Sequence, residues 1–284
     1  MTPAQSDFLE RNQLPDSYLE QSQKNYKSVL ENFAQAHHKG HSQTRIIAIN
    51  GSQGSGKSTL ADYLCTVIAE QQNIATLALS LDDFYLTKAE RLQLSEEVHP
   101  LLATRGVPGT HDIGLAIATI NSLIAAQSPT LVTRFDKSCD DRFPAHQCET
   151  VNGPVGLIVL EGWCMGAAAQ QTSELCDPVN QLEDTEDANA IWRNYVNMAL
   201  AGDYQRLFSM ADTLCMLRAP SFDTIFKWRL EQENKMANPL MNETEILRFI
   251  QYYQRITEHC LQEMPSRVDH LFQLDHNRQV TETQ

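Results

Sequence analysis

Apolar positions along this chain change period several times, and each change marks an element. The run Arg45-Ile-Ile-Ala-Ile49 has no polar alternation, the signature of a strand buried on both faces. Residues 74–80, 155–161 and 213–217 share that character, and 130–136 and the alternating 268–275 predict two further strands. Between them the spacing widens to three and four, predicting helices from Ser58 to Ile68 and over about 113–126, 189–211, 220–237 and 243–263. Upstream, Leu9, Leu14, Tyr18, Tyr26, Val29, Leu30 and Phe33 fall at loose helical spacings, with Pro15 expected in the first turn of a second helix. Residues 1–40 are therefore expected to form a helical N-terminal extension packed on a domain of residues 41–284. Segments 86–112 and 137–154 lack a period and predict irregular loops. The acid-rich 173–188 predicts a solvated excursion. Strands alternating with helices imply an α/β fold: a doubly wound, mainly parallel sheet flanked by helices, with ligands at the carboxyl ends of its strands.

One motif falls on the first strand-to-helix junction. Residues 51–58 spell Gly-Ser-Gln-Gly-Ser-Gly-Lys-Ser, a complete G-x-x-x-x-G-K-[ST] loop in its strand–loop–helix context. Gly51, Gly54 and Gly56, with Ser52 and Ser55 between them, allow backbone N–H groups to curl around a phosphate, and the following helix adds its positive end. Lys57 can reach the β- and γ-phosphates and Ser58 can bind Mg²⁺, with Thr59 next in the first helical turn. The motif predicts a P-loop NTPase fold that uses ATP and Mg²⁺.

Charged residues cluster beyond the other strand ends. Asp82 and Asp83 end the second strand, Glu161 ends the strongest one, and Arg134, Asp136 and Lys137 end 130–136. Phosphoryl transfer to a small alcohol needs a carboxylate that accepts the hydroxyl proton, another on the metal side, and cations over the moving charge. A helix cap at Asp82-Asp83 and a structural ion pair at Arg134 and Asp136 are the competing accounts. On 220–237, Lys227, Arg229 and Lys235 share a helix with Ile225, Phe226, Trp228 and Leu230. A solvated basic face competes there with a phosphate-facing one, and the planar guanidinium favours Arg229 for phosphate.

Composition limits the partners. The net charge of −14 opposes nucleic acid and anionic membranes, so a small-molecule substrate is expected. No apolar run approaches the eighteen residues of a membrane span, and the N-terminus lacks the pattern of a signal peptide. Seven scattered cysteines without Cys-x-x-Cys suit reduced thiols in a cytoplasm. Oligomeric state stays open, a monomer being compatible.

The Walker loop with Ser80-Leu-Asp-Asp-Phe-Tyr85 resembles the superfamily of uridine kinase, phosphoribulokinase and pantothenate kinase. Within it the chain is most similar to the D-glycerate 3-kinase family and its bacterial relatives. The matching stretches are 81–87, Arg105-Gly106 with His111-Asp112, 134–138, 160–163, 192–197 and 219–231. The resemblance implies Asp82 as general base and Glu161 as the Mg²⁺-side carboxylate. It implies Asp83, Tyr85, Arg105, Asp112, Arg134, Asp136 and Lys137 near the acceptor, and Arg229 on a helical lid over about 218–242. The implied reaction is phosphorylation of a small hydroxy acid, D-glycerate to 3-phosphoglycerate. Another small alcohol (a nucleoside, pantothenate or a sugar acid) is the alternative acceptor, and a P-loop ATPase switch the alternative class. Against a GTPase, Asn234-Lys235 is followed by Met236-Ala237 and lacks the guanine-reading aspartate.

Overall fold

The computed structural model describes residues 1–38, 43–234 and 241–284, so the boundary expected at residue 40 and the lid's Lys235 lie outside the described residues. Three helices open the chain: α1 (Pro3–Asn12), α2 (Ser17–Asn25) and α3 (Lys27–His38). Pro15 precedes α2 rather than entering its first turn, because Asp16 takes the cap position. Next come β1 (Arg45–Gly51), α4 (Lys57–Gln72) and β2 (Thr76–Ser80), then α5 (Lys88–Glu97) and α6 (Ile113–Ile124). Four short strands follow, β3 (Thr130–Val132), β4 (Phe135–Asp136), β5 (Asp141–Arg142) and β6 (Glu149–Val151), before β7 (Leu157–Gly162). The remainder is α7 (Gln181–Glu186), α8 (Ile191–Ala199), α9 (Gln205–Phe208), β8 (Thr213–Arg218), α10 (Phe222–Asn234), α11 (Glu243–Glu263), β9 (His270–Leu274) and β10 (Val280–Thr283).

The main sheet has the order β10-β9-β8-β1-β7-β2, parallel throughout except for the β9–β10 pair at one edge. Its central strands bury both faces, as their unbroken apolar runs require. Ile46 and Ala48 of β1 join Leu79, Leu160 and Met216 on one face, under α6 and the Tyr252, Tyr253 and Ile256 side of α11. Ile47 and Ile49 join Val159, Leu217 and Phe272 on the other, under α4, α10 and the N-terminal helices. The rings of Phe8, Tyr18, Tyr26 and Tyr63 cluster there at tilted and edge-on angles, and Tyr26 meets Phe272 at 4.8 Å, so the N-terminal helices share the sheet's own core. Among the described residues no helix is long and apolar enough to cross a membrane.

Several expectations are corrected. Residues 130–136 do not join the main sheet: β3 pairs antiparallel with β6, and β4 with β5. Leu131 faces outward, and Thr133 and Arg134 interrupt the run, a pattern that suits a half-exposed hairpin. The supposed loop 137–154 supplies the partner strands. Segment 86–112 contains α5, started by a reciprocal cap between Thr87 and Glu90. That Thr-x-x-Glu signal stands in the sequence. The excursion 173–188 is only partly solvated, because Glu183 and Asp187 are buried against Arg255 (2.6 Å) and Arg193 (2.9 Å). The helix expected over 189–211 is interrupted at Gly202, whose φ −95° and ψ −116° are not helical.

Candidate active site

The site begins where β1 runs into α4. Gly54 takes φ +77°, and a Cβ there would sit 2.9 Å from the Trp228 Cβ, so only glycine fits. Gly56, at φ +92°, caps the first turn of the 16-residue α4, whose free N–H groups face outward as an anion cradle. The buried hydroxyls of Ser52 and Ser55 have no hydrogen-bond partner.

Parallel register brings the next groups alongside. Glu161 of β7 lies opposite Ile49 of β1 and Ser80 of β2, so the ends of three strands meet at the loop. Ser58 Oγ donates to Glu161 Oε1 at 2.8 Å, and Lys57 Nζ lies 3.8 Å from Oε2. That Oε2 is buried and accepts no hydrogen bond.

Past β2 the chain makes a 3₁₀ turn over Leu81–Phe84, capped by the Ser80 hydroxyl, and the turn sends the two aspartates different ways. Asp82 enters a cavity of about 490 Å³ beside the Walker loop. There it accepts from Tyr85 Oη at 2.8 Å and Lys137 Nζ at 2.7 Å. Burial opposes its charge, but the ammonium groups of Lys137 and Lys57 outweigh burial, and the two hydrogen bonds add, so its pKa falls to about 2. Asp83 turns back instead, accepting from the Ser80 N–H at 3.3 Å and from Arg134 Nη1 at 2.7 Å.

Of the residues expected at the site, Gly54, Lys57, Ser58, Asp82, Tyr85, Arg105, Lys137, Glu161 and Arg229 line this cavity. Gly51, Ser52, Ser55, Gly56 and Thr59 form the loop and the start of α4 without lining it. Four acceptor candidates lie elsewhere, each taken up by a structural bond. Arg134 pairs with Asp83 and Glu149 and reaches the Ala78 carbonyl on the free edge of β2. Asp112 caps α6 through the Leu115 N–H (2.9 Å) and pairs with Arg142 (3.1 Å). Asp136 accepts from the Ser138 N–H at 2.8 Å in its own turn.

Six lining residues escaped the sequence reading: Gln53, Ser80, Trp163, Gln232, Phe249 and Tyr253. Gln53 sits inside the Walker motif and Trp163 follows Glu161-Gly162, so both were close to named signals. Phe249 and Tyr253, one turn apart on α11, carry no motif and arrive by packing alone, Tyr253 meeting Trp163 edge-on at 4.9 Å. Beneath the cavity floor His111 stacks on Tyr85 at 4.4 Å and bonds the Tyr204 hydroxyl at 2.6 Å. Burial lowers its pKa to about 4, so it braces Tyr85 as a neutral ring.

No protein-family model matches the chain. It is 31% identical to an uncharacterized kinase of Schizosaccharomyces pombe over 73% of this chain and 78% of that one. It is 28% identical to the chloroplastic D-glycerate 3-kinase of Arabidopsis thaliana, over 73% of this chain and 46% of that protein. The chain belongs to the D-glycerate 3-kinase family of P-loop kinases. The fold agrees: a D-glycerate 3-kinase structure from Cryptococcus neoformans var. grubii superposes with a TM-score of 0.74 at 23% identity, covering 95% of this chain and 99% of that one. It is an ATP-dependent phosphotransferase.

In this kinase a divalent cation has a fitting donor set at the Walker end. The orphaned Glu161 Oε2 and the Ser58 hydroxyl lie together below the phosphate cradle. Among the described residues no group of three or more His, Cys, Asp or Glu could hold a metal. One carboxylate and one hydroxyl suit an ion that takes its other ligands from phosphate and water, as Mg²⁺ does. Arg229, from α10, points into the same end. Its Nη2 pairs with Glu233 at 2.6 Å while the buried Nη1 has no hydrogen-bond partner.

Proposed function

We propose that this kinase transfers the γ-phosphoryl group of ATP to a hydroxyl of a small hydroxy acid, D-glycerate, giving 3-phosphoglycerate and ADP. The relative named D-glycerate 3-kinase supports the acceptor. One observation carries the mechanism: among the described residues lining the cavity, only Asp82 and Glu161 are acidic, and they stand on opposite sides of Lys57 in function. Glu161 and Ser58 would hold Mg²⁺, which would supply charge neutralisation at the phosphates. Asp82 hydrogen-bonds the acceptor hydroxyl, aims its oxygen at the γ-phosphorus and takes its proton as the bond to ADP breaks. Lys57 and the open Nη1 of Arg229 stabilise the charge on the moving phosphoryl oxygens.

A carboxylate with a pKa near 2 is a poor base while Lys137 holds it. Lys137 has 62% of its side chain exposed, so it can swing from Asp82 to an acceptor carboxylate. Arg105 lines the same wall and offers that carboxylate a second cation. Losing Lys137 removes the largest opposing charge and one hydrogen bond, so the Asp82 pKa rises against the remaining Lys57 charge and Tyr85 bond, and binding of a carboxylate-bearing alcohol itself makes Asp82 a better base. A neutral alcohol brings no group that draws Lys137 away. The net charge of −14 favours a small-molecule partner over nucleic acid or an anionic membrane. A cytoplasmic location fits seven cysteines that all stand as free thiols.

ATP consumption measured across D-glycerate, pantothenate, nucleosides and sugar acids tests the acceptor. Turnover with glycerate is expected. Turnover only with a neutral alcohol would overturn the assignment and leave the kinase chemistry standing.

A further inference from the structure

The turn between β9 and β10 reaches back to the Walker loop, and one side chain makes the connection. Arg278 Nε donates to the Gly54 carbonyl at 2.8 Å, and its Nη2 bonds Glu231 Oε2 at 2.8 Å. Its guanidinium also lies 5.3 Å from the ring centroid of Trp228. One planar group therefore touches the phosphate loop and two residues of α10. The turn is built for this contact: Asp275 Oδ1 accepts from the Asn277 and Gln279 N–H groups at 2.7 and 2.8 Å. The Trp228 indole N–H donates to the His276 carbonyl at 2.8 Å, and Thr224 bonds the His276 ring at 3.0 Å. Arg278 itself sits at φ +65°, a left-handed conformation that side chains other than glycine, asparagine and aspartate seldom adopt. A strained, non-glycine residue held by three contacts to the nucleotide machinery calls for a functional account.

We propose that Arg278 is a positioning residue that ties the Walker loop to α10, so that the phosphate cradle and Arg229 are held in one fixed relation. Gly54 already packs on the Trp228 Cβ, and Arg229 is the next residue along the helix. Without Arg278 the Gly54 peptide is free to rotate, and the N–H groups of the loop lose their common aim. A misplaced cradle binds polyphosphate more weakly, because the donors must be ordered at the moment of binding. The inference rests on the nucleotide reading of this cavity and is independent of which alcohol accepts the phosphate.

Calorimetric titration of the full chain with ATP in magnesium buffer, without acceptor, measures the effect directly. Arg278→Ala and Arg278→Gly are compared, with thermal unfolding recorded for each. Glycine relieves the backbone strain and alanine does not, so the glycine variant is expected to unfold at the higher temperature. Both remove the clamp, so both are expected to weaken ATP at least about tenfold and to within twofold of each other. Arg278→Lys keeps a cation over Trp228 but offers one nitrogen in place of the two that bond Gly54 and Glu231, and is expected to fall between wild type and the truncations. ATP affinity within twofold of wild type in either truncation overturns the proposal. So does a loss more than twofold larger in alanine than in glycine, which would follow stability instead of the clamp. Wild-type protein that binds no ATP would overturn the nucleotide site itself, and the inference with it.

Discussion

At the Walker end of the cavity, Lys57 stands 3.8 Å from Glu161 and Arg229 keeps one guanidinium nitrogen unbonded. At the acceptor end, Lys137 is bonded to Asp82 and Arg105 to Asp140, and behind that wall Arg134 is bonded to Asp83 and Arg142 to Asp112. Among the described residues Lys57 makes only the 3.8 Å contact, and Arg229, although its Nη2 pairs with Glu233, keeps Nη1 unbonded, so both can take a polyphosphate without giving up a short bond. A cation that already has a carboxylate binds an incoming anion only by exchange, and must recover the cost of the bond it leaves. Under the proposed reaction, the nucleotide end favours affinity and the acceptor end favours selection, since an acceptor with its own carboxylate is the one that completes the exchange. The difference also explains why cations that look equivalent in the sequence do different work: Arg105 and Lys137 face the cavity, while Arg134 and Arg142 hold loops together.

The largest test of this contrast is Lys57→Ala. Turnover is expected to fall by about 10³-fold or more while the thermal midpoint stays near wild type, because the partners of the lysine are phosphates and one carboxylate. Retention of a tenth of wild-type turnover would break the account of the Walker end. Asp82→Asn comes next: kcat is expected to drop about 10²–10³-fold with ATP affinity preserved, since the amide keeps the shape but takes no proton. Its neighbour sharpens the result. Asp83→Asn weakens the bond to Arg134, so it should cost about 1 kcal/mol of stability and little turnover. Reversal of those two outcomes in steady-state and unfolding assays would exchange the roles of the aspartates.

Smaller effects separate the two kinds of arginine. Arg105→Ala is expected to raise KM for glycerate by about tenfold without changing KM for ATP. Arg134→Ala should leave both KM values within about threefold and lower stability by about 1–2 kcal/mol, as loss of a partly buried bonded pair does. A glycerate KM that responds to Arg134 and not to Arg105 would invert the map of the acceptor end.

The last test leaves activity aside. Burial holds His111 neutral, with a folded pKa near 4 against about 6.5 unfolded, so the folded state binds fewer protons. That contribution is complete above the unfolded value and is lost as pH falls from about 6.5 through 4. Between pH 7 and pH 4.5 urea unfolding should show a loss of about 2–3 kcal/mol from this group, much reduced in His111→Gln. An unchanged pH slope in the variant would remove His111 as the source.

How far the site was legible depended on how its parts are connected. Residues 51–58 are contiguous, so bonded geometry brings the loop, Lys57 and Ser58 together whatever the rest does. Asp82 and Glu161 are distant in the chain but end parallel neighbours, and strand-end reasoning found them because β2 and β7 are adjacent. The same reasoning failed for Arg134, which lies between β3 and β4, and for Asp136 in β4, because those strands belong to small antiparallel pairs outside the sheet. The reciprocal cap of Thr87 and Glu90 stands in the sequence and marks the start of α5 within a segment that has no apolar period.

By itself the amino-acid order determined the strand–loop–helix phosphate cradle, the buried parallel strands and the class of chemistry, because these rest on local periodicity and on residues joined by a few bonds. Only the tertiary structure decided that Asp82 and not Asp83 enters the cavity, since a capped 3₁₀ turn sets the direction of each. It likewise decided that Phe249 and Tyr253 of α11 line the cavity and that Arg278 reaches Gly54 across 224 positions of chain. Those placements depend on which helix packs over which strand, a property of the whole core that no short stretch of residues carries.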